Sequence, residues 1–93
     1  MKTNYWKNED LLLEELKNKE IRAFLEFYKE YSEDLLIVAF TLLGDAPQSI
    51  QKVDELFTQL WKNNKFGTIT PPIHRYLFNE ITRACKLSLF SHN

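Results

Sequence analysis

The stretch from Leu43-Gly44-Asp45 through Ala46-Pro47-Gln48-Ser49 to Leu60-Trp61 decides the fold. At about 100° per residue, a helix over this stretch places Ile50, Val53, Leu56, Phe57, Leu60 and Trp61 on one arc. Gln51, Asp54, Glu55 and Thr58 fall on the other. One face packs, and the polar face is left to meet solvent or a partner. Gly44 suits the left-handed residue that ends a preceding helix, because it has no Cβ to clash. Asp45 or Ser49 can cap the next helix, and Pro47 is tolerated in its first turn. The local pattern is therefore an αα-hairpin.

Working outward, the helix before the turn is predicted from near Glu20 to Leu43, roughly 36 Å at 1.5 Å per residue. Phe24, Phe27, Tyr28, Tyr31, Leu35, Val38, Ala39 and Leu42 form its core stripe, and Arg22, Glu26, Lys29, Glu30 and Glu33 its solvated side. From Leu35 onward, Leu36, Ile37, Phe40 and Leu43 put apolar groups all round, which predicts an interface or cover on several sides. Upstream, a short helix is capped by Asn8 or Asp10, buries Leu12, Leu13 and Leu16, and closes at Lys17-Asn18-Lys19. Residues 1–8 show no period and read as a flexible tail up to the cap.

Downstream, Lys65 to Pro72 reads as a loop, and Pro71-Pro72 leads into a fourth helix that ends near Leu89. Tyr76, Leu77, Ile81, Ala84, Cys85 and Leu87 are placed on its inner side. Arg75, Asn79, Thr82, Arg83 and Lys86 form an outer strip without an acid. The expectation is a single all-α domain over residues 1–93, a compact bundle of about four helices.

Composition agrees with this. With 44% hydrophobic and 27% charged residues, the chain lies in the globular class. Two glycines and three prolines are too few for a turn-dense β fold. A single cysteine forms no internal disulfide, which suits a reducing, cytoplasmic setting. No apolar run approaches the roughly 20 residues of a membrane span, and no signal-peptide core opens the chain. The net charge of −1 hides an asymmetry: residues 1–61 carry seven cations against twelve acids, and residues 62–93 carry five cations against one. An acidic front and a basic rear suit two different partners.

Catalytic signatures are missing. The sequence has no phosphate-binding glycine loop and no nucleophile elbow, and His74, Cys85 and His92 are too scattered to be metal ligands. The reading is of a protein that is not an enzyme and has no cofactor. Phe66 stands in the loop between Lys65 and Gly67 with two readings open, a ring that stacks on an unpaired base or a residue tucked over the core.

Taken together, Leu12-Leu13 with Leu16, Ala23-Phe24, Tyr28, Tyr31, Leu35, Ala39 and Leu43-Gly44-Asp45 resemble the second region of bacterial RNA polymerase sigma factors. The group most resembled is the extracytoplasmic-function (ECF) sigma factors. Val53, Glu55, Phe57, Leu60, Trp61, Tyr76-Leu77-Phe78 and Ile81 continue the pattern, which spans about Leu12 to Leu89. The resemblance implies a transcription initiation factor domain with two surfaces. Gln51, Asp54, Glu55 and Thr58 would dock on the β′ clamp helices of core RNA polymerase. Lys62, Lys65, Phe66, His74, Arg75, Asn79, Arg83 and Lys86 would meet the −10 element of promoter DNA. An anti-sigma factor is a further partner that it allows.

The chain departs from that family at functional positions. Ser49-Ile50-Gln51 and Asp54-Glu55 stand where Ala-Glu-Asp and a Gln-Glu pair are usual, and Glu80-Ile81-Thr82-Arg83 replaces an Ala-Arg-Asn neighbourhood. A factor of this kind also has a second helical domain for the −35 element, so the 93 residues read as one domain of a longer factor or as a stand-alone relative. The alternative function is a degenerate sigma-like module that binds proteins without promoter recognition, including a homodimer through Leu36, Ile37, Phe40 and Phe90.

Overall fold

Asn8 caps the first helix by accepting the Leu11 N–H on its side-chain oxygen at 2.9 Å, the capping expected of a short polar residue before a helix. The computed structural model describes residues 8–90, so the tail expected over Met1 to Lys7 lies outside the described residues, as do Ser91, His92 and Asn93. Within that span the order is α1 (Glu9–Lys17), α2 (Ile21–Leu43), α3 (Ala46–Lys62), a 3₁₀ turn (Lys65–Thr68) and α4 (Ile73–Phe90). The described residues contain no strand, and the all-α expectation holds.

The helical hairpin forms as its turn chemistry requires. Gly44 takes φ 67° and its N–H bonds the Phe40 carbonyl at 2.7 Å, which satisfies a carbonyl that the end of α2 would otherwise leave open. Asp45 is the cap of α3, accepting the Gln48 N–H at 2.8 Å. Ser49 does not cap. It is fully buried, and its hydroxyl donates to the Asp45 carbonyl at 2.7 Å, so a small side chain with its polar atom satisfied faces the core. Ile50, expected on the packed arc, is instead 49% exposed, because the inner face of α3 centres on Ser49, Val53, Phe57 and Leu60.

On α2, Ala23, Phe27, Tyr31, Leu35 and Ala39 are buried in steps of four. Phe27 packs edge-on against Tyr31 at 5.5 Å, Phe57 at 5.3 Å and Phe66 at 5.8 Å between ring centroids, the arrangement that suits aromatic quadrupoles. Phe24 joins from one side at 4.7 Å from the Trp61 ring. Leu12 and Leu16 of α1 and Ile73, Leu77, Ile81 and Cys85 of α4 complete the buried set.

The segment after α3 is more ordered than a loop. Phe66 is 1% exposed and Ile69 6%, and these two anchors pull Lys65–Thr68 into one 3₁₀ turn closed by a Thr68 hydroxyl bond to the Lys65 carbonyl at 2.7 Å. Asn64, at φ 48°, bonds the Lys17 carbonyl at 3.2 Å, and Lys19 lies with its ammonium 4.3 Å from the centre of the Trp61 ring. The turn between α1 and α2 is thus tied to the end of α3. Truncating Phe66→Ala removes a fully buried ring between α2 and α3 and is expected to destabilise the fold by about 3–5 kcal/mol. Urea denaturation followed by far-UV circular dichroism measures the loss.

Candidate binding surfaces on α3 and α4

Gln51, Asp54, Glu55 and Thr58 all stand exposed on α3, so the residues expected to dock a protein do share one face. They are not isolated from one another. Gln51 donates to Glu55 at 3.1 Å, and Lys52 approaches the same carboxylate at 3.7 Å. Asp54 accepts the Tyr28 hydroxyl at 3.2 Å, which links the face to α2. These are solvent-exposed contacts, each of modest strength, and they orient the acids more than they stabilise the fold.

The basic half is spread over two neighbouring clefts. One, of about 240 Å³, lies where the chain enters α4 and is lined by Thr68, Thr70, Pro71, Pro72, Arg75, Tyr76 and Asn79. The Pro71–Pro72 bond is cis. The other, of about 270 Å³, opens between α3 and α4, and Lys52, Glu55, Gln59, Lys65, Tyr76 and Glu80 are among its walls. Tyr76 lines both.

Among the residues expected to meet DNA, Arg75 and Asn79 come together with loop threonines, while Lys65 belongs to the second cleft. Lys62 at the end of α3 and Lys86 one turn before the end of α4 are exposed and line neither. Arg83 is exposed but bonds Glu80 one turn back, so the outer strip of α4 has an acid beside it after all. His74 is half-buried, its ring 5.9 Å from Phe78 and nearly perpendicular to it. Phe66 is not on the surface: of the two readings open for it, the structure takes the core one, because Phe27 and Trp61 of flanking helices offer it an apolar seat.

Sequence reasoning missed Thr68, Thr70 and Tyr76 as cleft walls. The period of α4 places Tyr76 and Leu87 on its inner side, but Tyr76 is half-buried at the cleft edge and Leu87 is 62% exposed near the end of the helix. The other omission is Glu9. Its carboxylate accepts the Ile73 N–H at 3.0 Å, so a residue 64 positions away caps α4 and sets where the cleft begins. No local signal reveals such a long-range cap.

Tyr28 and Cys85 are shifted from their ordinary values. Tyr28 is held above its ordinary 10.0 by partial burial first, then by the charge of Asp54 and the hydrogen bond to it. Cys85, buried on the inner side of α4, is also raised by burial, with Lys52 opposing. Among the described residues, no three His, Cys, Asp or Glu side chains lie where they could hold a metal ion, and no helix is long and apolar enough to cross a membrane. No family model, curated protein or solved structure matches the chain.

The Tyr28 shift has a definite sign. A phenol with a raised pKa binds its proton more tightly when folded, so its contribution to stability is full below pH 10.0 and is lost as pH rises through the folded value. Asp54→Asn is expected to bring Tyr28 ionisation back toward 10.0, read by NMR of ring-labelled tyrosine in an alkaline titration.

Proposed function

We propose that this domain acts in transcription initiation as an ECF-type sigma factor region-two domain, with α3 on polymerase and the entrance of α4 on the −10 element. The observation that supports this reading most directly is the cleft at the start of α4. It gathers hydroxyls, a guanidinium, an amide and an aromatic edge beside a helix that carries further cations. Thr68, Thr70 and Asn79 can bond the edge of an unstacked base, Tyr76 can flank its ring, and Arg75 can meet the phosphate next to it. The sequence pattern over Leu12 to Leu89 supports the same reading, as does the acidic balance of residues 1–61 against the basic balance of residues 62–93.

In this reading the protein performs no chemistry of its own, works in the cytoplasm and takes polymerase as its principal partner. Asp54 and Glu55 meet cations of the β′ clamp helices at the rim of the contact, where charge governs the rate of encounter and the choice of partner. Arg75, Arg83, Lys62, Lys65 and Lys86 supply the salt-dependent part of DNA binding.

A second reading is favoured by other features. Ile37 and Phe40 on α2 and Leu87 and Phe90 on α4 are at least half exposed, more apolar surface than a small monomer requires. Together with the buried Phe66 and the Glu80-bound Arg83, this suits a sigma-like module that binds proteins and no longer reads promoters.

The readings separate by binding. Calorimetry against the isolated β′ clamp-helix fragment is expected to show saturable binding that Asp54→Lys/Glu55→Lys abolishes; silence at high micromolar concentration favours the second reading. On single-stranded −10 DNA, Arg75→Ala/Arg83→Ala is expected to weaken binding and to lower the salt slope by about 1 to 2. An unchanged slope removes both arginines from the DNA surface.

A further inference from the structure

The side of α2 opposite the core is not a uniform solvated face. Ile21, Leu25, Lys29, Glu33 and Ile37 follow one another in steps of four, offset by two residues from the buried series Ala23, Phe27, Tyr31, Leu35 and Ala39. Two residues are about 200° on a helix, so the ridges lie on opposite sides. Ile21 is 59% exposed, Leu25 60%, Ile37 60% and nearby Phe40 50%, while Lys29 and Glu33 are exposed between them. The ridge therefore reads apolar, basic, acidic, apolar.

That order is self-complementary in one arrangement. If a second copy of α2 is laid antiparallel with Leu25 opposite Ile37, then Lys29 falls opposite Glu33, and the partner chain repeats both pairs in reverse. A two-fold contact has this property, since each residue meets its counterpart twice. A ridge in steps of four is also the element that interdigitates in the commonest helix packing, with axes crossing at about −50°.

We propose that the outer ridge of α2 is a homodimer surface, with Lys29 and Glu33 paired across the two-fold axis and Leu25 and Ile37 packed to either side. Leu25 and Ile37 leave on the order of 200 Å² uncovered per copy, and the stems of Lys29 and Glu33 bring the total for two copies to about 800 Å², the size of a weak, transient contact. A weak, reversible dimer follows. The proposal is independent of the polymerase reading, because its residues lie on α2 and those of the polymerase face on α3.

Sedimentation equilibrium of the purified full chain over a concentration series tests it. Lys29→Glu alone and Glu33→Lys alone each set like charges together twice and are expected to weaken dimerisation about 10- to 100-fold. The double exchange Lys29→Glu/Glu33→Lys restores it to within about threefold, since the reversed pairs are again opposite in sign. Restoration occurs only in the antiparallel register. Leu25→Asp, an exposed change expected to leave the monomer folded by circular dichroism, abolishes the dimer. A chain that stays monomeric at several hundred micromolar overturns the proposal, as does a dimer unaffected by the single reversals or one lost instead on Phe90→Ser.

Discussion

Everything in this bundle leans on the ring of Phe27. It is the point at which α2 meets α3 through Phe57 and the 3₁₀ turn through Phe66, each edge-on at under 6 Å. Rings of this size bury about 150–250 Å² each, so this small group supplies a large part of the apolar area available to a chain of this length. Their perpendicular packing also restricts rotation of α3 about its axis. With that rotation set, Asp54 and Glu55 face outward and Ser49 inward, although by hydrophobicity alone Ile50 is the better core residue.

The same cluster positions the basic half. Phe66 anchors the turn after α3, Ile69 anchors the segment that follows, and Thr68 and Thr70 on either side of Ile69 are left exposed at the cleft that Arg75 and Asn79 complete. Glu9 holds the other end of this segment through the Ile73 N–H. The short α1 thus does two things at once: Leu12 and Leu16 close the core, and its first carboxylate defines the start of α4. A nine-residue helix is marginal in water by itself, and here packing and this cap hold it.

Surface pattern and core pattern share a single helix in α2. A step of four drifts by about 40° per turn relative to a straight stripe, so two opposite ridges wind together along its 23 residues. One meets α3 and α4 with aromatics and small residues; the other carries isolated apolar side chains either side of a charge pair. Apolar groups at Ile37 and Phe40 are not absorbed by the monomer core, because Leu35 and Ala39 already fill the inward positions at that level.

The helices, the caps of α1 and α3 and most of the core follow from local chemistry, so they were legible in the residues themselves. Gly44 and Asp45 end one helix and start the next by backbone geometry and a single side-chain bond, and a period of 3.6 marks Phe27, Leu35, Phe57 and Leu77 as inward. The polar face of α3 and the exposed positions of Arg75, Asn79, Arg83 and Lys86 were legible for the same reason. What tertiary structure alone decided involves contacts distant in sequence: the burial of Phe66 between Phe27 and Trp61, the cap from Glu9 to Ile73, and the Tyr28 bond to Asp54. Periodicity assigns a residue to a side of its own helix. Which neighbour waits on that side depends on how the helices pack, and that is an energy of the whole core.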